Sequence, residues 1–266
     1  MDGARFSPGA LLSPSAFLST ALDLYRRQLR GAWTIVALIA IPAQILVWIM
    51  VRVSLSHGAY ARDGSVHTGA ALPWVAIALL GFLSFVLTVG ALSRLFVETY
   101  TRRRTTWEES LAYASTRLLP LLVMAVVSGV LLALGYAFFF VPGVFLTVAW
   151  SAAGPVLMFE NVAPLQALGR SAQLVRGYWG PTFGALAIAL VIWLGVSYLV
   201  DIFLAGIQSS SSIDLVLSVQ AIARAAGAIL TYPFVAALSV AIYANLRAAK
   251  EGVSPESLVP VGSKTT

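Results

Sequence analysis

The stretch LLPLLVMAVVSGVLLALGYAFFFVPGVFLTVAWSAAGPVLMF, residues 118–159, runs for 42 residues without a charged or histidine side chain. A bilayer core of ~30 Å takes about 20 helical residues, so the run is too long for one crossing and long enough for two. Pro142-Gly143 divides it, a pair that stops one helix and permits a tight reversal. The stretch therefore reads as a transmembrane hairpin. Four more uncharged runs surround it, at 31–51, 68–93, 177–200 and 225–246. The expected spans are about 31–51, 70–93, 119–140, 143–159, 178–200 and 225–246. These runs are apolar on all sides, whereas a spanning β-strand alternates polar and apolar side chains, so the spans are helices.

Composition agrees. The chain of 266 residues is 59% hydrophobic and 11% charged, with a mean hydropathy of +0.87. Soluble domains carry about 25% charged residues, so most of this surface faces lipid. The absence of cysteine excludes disulfides, thiolate metal sites and thiol nucleophiles. Lys250 and Lys264 are the only lysines beside a majority of arginines, a bias that suggests a GC-rich bacterial genome. The net charge of +6 is read as the basic loops of a membrane protein and not as a nucleic-acid surface. No cleavable signal peptide is expected: residues 6–22 are uncharged but interrupted by Pro8, Pro14 and several Ser and Gly, so the first span reads as an anchor.

The basic residues set the orientation. Arg5, Arg26, Arg27 and Arg30 precede the first span, and Arg94, Arg102, Arg103, Arg104 and Arg117 lie between the second and third. Arg170 and Arg176 lie between the fourth and fifth, and Arg247, Lys250 and Lys264 follow the sixth. Of the 17 basic residues only Arg52, Arg62 and Arg224 fall on the other side. Lys and Arg are retained on the cytoplasmic side, so both termini are expected there, in an inner (cytoplasmic) membrane.

Three basic segments are also amphipathic. Phe17, Leu18, Ala21, Leu22, Tyr25 and Leu29 share one helical face, behind Ser13 as N-cap and Pro14 at the first helical position. Trp107, Leu111, Ala114 and Leu118 align behind a Thr106/Glu109 capping box. Leu165, Leu168, Ala172 and Val175 align opposite Gln166, Arg170 and Gln173. Each is expected to lie in the interface with its apolar face in the acyl boundary. The fold class is thus all-α: a polytopic membrane protein with six transmembrane helices and three short cytoplasmic interfacial helices, in a threefold order of interfacial helix, span and return span. Residues 1–30 form the N-terminal segment, 31–246 the transmembrane domain and 247–266 a disordered tail with Pro255 and Pro260.

Between Val141 and Trp179 the chain reads Val-Pro-Gly-Val-Phe-Leu, then Pro155, Phe-Glu160-Asn, Ala-Leu-Gly-Arg170-Ser171 and Leu-Val-Arg176-Gly177-Tyr-Trp179. This segment resembles the membrane domain associated with glycerophosphoryl diester phosphodiesterases, as do the Leu-Tyr-Arg-Arg before the first span and the Ala-Asn-Leu-Arg after the sixth. The specific part covers about 40 residues. The resemblance implies a membrane domain without the family's catalytic barrel, which takes roughly 250 residues. It carries over no phosphodiesterase activity, because that chemistry gathers histidines and carboxylates around a divalent metal. Here His57 and His67 share one loop with Asp63 and read as solvated residues.

No catalytic residue, cofactor or metal site is expected. Glu160 with Arg170 and Arg176 has two readings: a head-group or partner site gripping phosphate, or an ion pair fixing a helix against the hairpin, which is preferred. Arg102, Arg103 and Arg104 serve as a topology signal or as an anionic-lipid contact. Asp201, Asp214 and Arg224 flank the last connection, and longer helices would carry Asp201 and Arg224 into the membrane as a pair. Ser209–Ser212 reads as an external loop. Pro42 and Pro233 should kink the outer spans, and Gly180-x-x-x-Gly184 permits close packing. The expected function is a non-enzymatic integral membrane protein that organises or assists other membrane components. The alternative is a lipid-handling protein or transporter binding anionic head groups, and a hydrolase would need a buried cluster built around Glu160 and Asn161. Partners are membrane lipids and another membrane protein, not nucleic acid.

Overall fold

The computed structural model describes residues 12–56, 71–138, 140–208 and 213–252. His57, Arg62, Asp63, His67, Ser209–Ser212 and the tail beyond 252 lie outside them. Among the described residues there are ten helices and no strand: α1 (Pro14–Arg27), α2 (Leu29–Ser56), α3 (Ala71–Tyr100), α4 (Trp107–Thr116), α5 (Leu118–Phe138), α6 (Phe140–Ala149), α7 (Ala153–Glu160), α8 (Pro164–Val175), α9 (Trp179–Gln208) and α10 (Ile213–Glu251). Six stretches are long and apolar enough to cross a membrane, one of them the α6–α7 pair. The order of amphipathic helix, span and return span occurs three times, led by α1, α4 and α8.

Seven of the 12 prolines sit in the first turn of a helix: Pro14, Pro73, Pro120, Pro142, Pro155, Pro164 and Pro181. A first-turn N–H has no intrahelical acceptor, so proline starts these helices at no hydrogen-bond cost. Ser13 caps α1 by accepting from the Ala16 N–H at 3.1 Å. Thr106 and Glu109 form the expected capping box.

Three expectations are corrected. Pro142-Gly143 does not form the turn of the hairpin but lies inside the first turn of α6, which already begins at Phe140. The glycine there serves packing: a Cβ on Gly143 would fall 2.6 Å from the Tyr136 ring, and one on Gly135 3.0 Å from the Gly143 backbone. Several helices also outrun their uncharged cores, so Arg94, Glu98, Asp201 and Arg224 are helical; α10 alone has 39 residues, about 58 Å at 1.5 Å per residue. Charge ends a stretch's fitness for hydrocarbon, not its helical hydrogen bonding. Finally, the apolar faces of α1, α4 and α8 turn onto the spans instead of into lipid. Phe17, Ala21 and Leu24 of α1, Ala114 of α4, and Ala167, Leu168, Leu174 and Val175 of α8 are all buried within the protein.

The core concentrates where these three helices sit. Phe17, Ile35, Leu92, Leu95, Phe96, Leu157, Phe159 and Tyr243 are fully buried there, drawn from α1, α2, α3, α7 and α10. The contacts of α4 with the end of α3, and of α1 and α8 with the end of α10, gather Arg94, Arg102, Arg170 and Arg247 at this basic end. By contrast, only 11% of the apolar window of α5, and 11% of that of α9, is buried. Pro42 and Pro233 lie inside α2 and α10. Pro233 has no N–H for the Ile229 carbonyl, and the neighbouring Leu230 carbonyl accepts from Tyr25 Oη at 3.4 Å. Gly184 meets Pro14 of α1, where a Cβ would fall 3.0 Å from the ring, while Gly180 faces open space.

Candidate functional site

The fourth span is broken. Between α6 and α7 the residues Trp150, Ser151 and Ala152 leave the helix, and non-helical backbone at membrane depth requires substitute partners. Two serines provide them. Ser171 of α8, fully buried, donates to the Ala149 carbonyl at 2.8 Å and accepts from the Ala152 N–H at 3.1 Å. Ser239 of α10 donates to the Ser151 carbonyl at 2.6 Å. That carbonyl would normally bond the N–H four residues on, but residue 155 is proline and has none. Close packing seals the break: a Cβ on Gly154 would fall 3.3 Å from Ser93 Oγ of α3.

Below the break α7 is buried along its length and ends on Glu160. Asn161 then turns the chain in the left-handed region, with φ of 53°, a conformation asparagine tolerates. Pro164 starts α8, and the Gln166 side chain accepts from the Ala163 N–H at 3.3 Å. The turn faces Arg170 towards Glu160. Arg170 Nε donates to Glu160 Oε2 at 3.2 Å, while its Nη2 donates to Glu251 Oε1 of α10. Glu251 Oε2 accepts from Arg247 Nε at 2.7 Å, and Arg247 Nη1 lies 3.7 Å from Glu160 Oε1. Tyr243 sits inside, donating to Glu160 Oε1 at 3.1 Å and accepting from Arg247 Nη1 at 2.7 Å.

The result is a closed ring of alternating charge, Glu160–Arg170–Glu251–Arg247. It is neutral, and all four carboxylate oxygens are engaged. Burial acts against the Arg170 charge, but the hydrogen bond to Glu251 and the fields of both carboxylates outweigh it and raise its pKa above the ordinary guanidinium value. Beside the ring, Lys250 Nζ donates to the carbonyls of Gln173 and Arg176, each at 2.6 Å, and so caps the end of α8. Gly177, with φ of +89°, then turns the chain into α9.

Of the expected site residues, the structure brings Glu160 and Arg170 together. Arg176 is exposed and offers the ring no side-chain contact. Arg102, Arg103 and Arg104 form a separate group at the end of α3. Sequence reasoning missed Tyr243, Arg247 and Glu251. They recur at intervals of four on α10, a spacing that places all three on one helical face. It also missed Ser171 and Ser239.

The second polar group is built on Glu98, whose side chain is 5% exposed. Arg94 Nη2 lies 2.6 Å from its Oε1 as an ion pair without an aligned hydrogen bond, and Arg103 Nε lies 3.9 Å from its Oε2. The Arg94 guanidinium rests on the Tyr113 ring at 4.4 Å. A cavity of about 370 Å³ opens here, and a second of similar size lies between α1 and the end of α3, against Thr20, Asp23, Arg27 and Arg102. Arg117, between α4 and α5, buries Nε and Nη2 with no partner among the described residues. Asp201 and Arg224 are both exposed and form no ion pair with each other among the described residues. Among those residues no group of His, Asp and Glu has metal-holding geometry. No family model, no curated protein and no solved structure matches this chain.

Proposed function

We propose that this chain is a non-enzymatic multi-pass protein of a bacterial inner membrane, with both termini cytoplasmic, that organises or assists other membrane components. The observation that carries the reading is the contrast between the two parts of the bundle. At the basic end, the ring around Glu160 uses its polar groups to brace α7, α8 and α10. Away from it, α5 and α9 keep 11% of their apolar windows buried, which leaves long flanks for lipid or for the spans of another protein. The Arg170-Ser171 pair that carries the resemblance to the glycerophosphoryl diester phosphodiesterase membrane domain closes both the ring and the span break. Membership of that family as a stand-alone membrane domain belongs to the proposal on the resemblance in sequence alone.

Extraction in native lipid discs followed by mass spectrometry tests the reading. Recovery of one partner protein in near-equal amount is expected, and recovery of the chain with lipid alone would refute the organising role. A reporter fused after Thr266 is expected to report cytoplasm and one inserted at Gly64 the opposite side.

A second reading, that the basic end binds anionic lipid head groups, is favoured by Arg102, Arg103 and Arg104, which lie outside the neutral ring. Near a membrane surface each such charge contributes about 1 kcal/mol of attraction to anionic lipid.

A further inference from the structure

We propose that the cavity between the last turn of α3 and α4, walled by Arg94, Arg103, Arg104 and Tyr113 with Glu98 and Glu109 among them, binds the phosphate group of an anionic ligand. This rests on the head-group reading above and gives it a place. The backbone builds the site. α3 ends in a turn in which the Arg103 N–H bonds the Glu98 carbonyl at 2.9 Å and the Arg102 N–H bonds the Thr99 carbonyl at 3.1 Å. Such a turn needs a left-handed residue and favours glycine. Here Arg102 occupies that position with φ of 55°. The turn swings Arg103 back over Glu98 and sets Arg104 at the rim.

The charges do not balance. Glu98 is deep and engages Arg94 closely and Arg103 only at 3.9 Å. The other carboxylate, Glu109, is taken by the α4 cap: it accepts from the Thr106 N–H at 3.2 Å and the Thr105 hydroxyl at 3.3 Å. Arg104 has no partner among the described residues. Three guanidiniums thus face a space of about 370 Å³ across two carboxylates, which leaves one positive charge in excess, with Arg104 unpaired among the described residues. Guanidinium forks match the oxygens of a phosphate, and stacking on Tyr113 fixes Arg94 in advance. The site begins at Arg94, the first charged residue after the apolar run of α3, so the proposal sets it at the edge of the hydrocarbon, beside the lipid phosphates.

The test uses the full chain in discs of phosphatidylcholine and phosphatidylglycerol, with retained lipid read by native mass spectrometry, and a parallel titration with glycerol phosphate. The site variant is Arg103→Gln with Arg104→Gln. The control is Arg26→Gln with Arg30→Gln, which removes equal charge from exposed positions of the same end. Wild type is expected to retain phosphatidylglycerol. The site variant should lose affinity roughly thirtyfold, about fivefold per arginine, while the control holds. Retained lipid with no response to glycerol phosphate assigns the site to a lipid. Glycerol phosphate binding that the site variant abolishes assigns it to a soluble phosphate ester. Equal losses in site variant and control would overturn the site in favour of diffuse charge. Lipid retention unchanged in the site variant would overturn the site and leave the head-group reading standing. A wild type that holds neither ligand would overturn both.

Discussion

Replacing Glu160 with glutamine tests the ring most directly. The side chain is 7% exposed, and glutamine keeps its shape while removing its charge. Two guanidiniums lose a carboxylate, but neither is orphaned, because Arg170 and Arg247 both retain Glu251. Breaking a fully buried ion pair costs about 3–5 kcal/mol. Here the remaining Glu251 and the 30% exposure of Arg170 reduce that figure, and we expect a loss of about 2–3 kcal/mol. For a chain of this size 1 kcal/mol moves the melting temperature by about 2–4 °C, so the variant should melt about 4–12 °C lower. The assay is thermal unfolding in lipid discs, followed by tryptophan fluorescence. Tyr243→Phe, alone and combined with Glu160→Gln, completes a double-mutant cycle, for which a coupling of about 1 kcal/mol is expected. A melting temperature within about 1 °C of wild type for Glu160→Gln would refute the ring as a stabilising element.

Three further changes address separate elements. Ser171→Ala removes the two Ser171 bonds at the span break, leaving that of Ser239, and should destabilise by about 2–3 kcal/mol, with faster amide exchange confined to Ala149–Ala153; uniform exchange would mean the break is held by other contacts. Gly143→Ala drives a Cβ to 2.6 Å from the Tyr136 ring and should cost about 1–3 kcal/mol in a melting experiment, with no loss counting against the tight hairpin. Arg117→Met keeps an apolar stem and removes a guanidinium with two unpartnered buried nitrogens. It should raise stability by about 1–3 kcal/mol, and a lower melting temperature would show that an anion occupies that position in the membrane.

The spans were legible because hydrocarbon tolerates so few sequences: an uncharged run of about 20 residues is nearly sufficient evidence. Local signals carried their weight as well. Ser13-Pro14 and Thr106/Glu109 cap α1 and α4 as their spacing indicates, since capping depends only on near neighbours. The break at Trp150–Ala152 was hidden because its signals, Gly154 and Pro155, sit in an apolar run where hydropathy sees only a modest fall, 1.6 for this span against 2.5 for its hairpin partner. Half of the ring was legible, since Glu160 and Arg170 are ten residues apart and joined by a short turn. The other half was not. Tyr243 meets Glu160 across 83 residues, and no local periodicity encodes which helices become neighbours. Arg247 was read as a topology signal, which depends on charge alone, while its ring position depends on packing.

The ring also has a place in time. α10 supplies Ser239, Tyr243, Arg247 and Glu251, and it leaves the ribosome after every other described helix. Tyr243 emerges 83 residues after Glu160, a delay of about 4–17 s at roughly 5–20 residues/s of synthesis. Throughout that interval the half-made protein holds an uncapped carbonyl at Ser151 and a carboxylate with Arg170 as its one ring partner. The nascent hairpin is therefore a client for whatever shields polar groups during insertion. A chain stopped before α10 carries in its fourth span a mark of incompleteness that the finished protein erases.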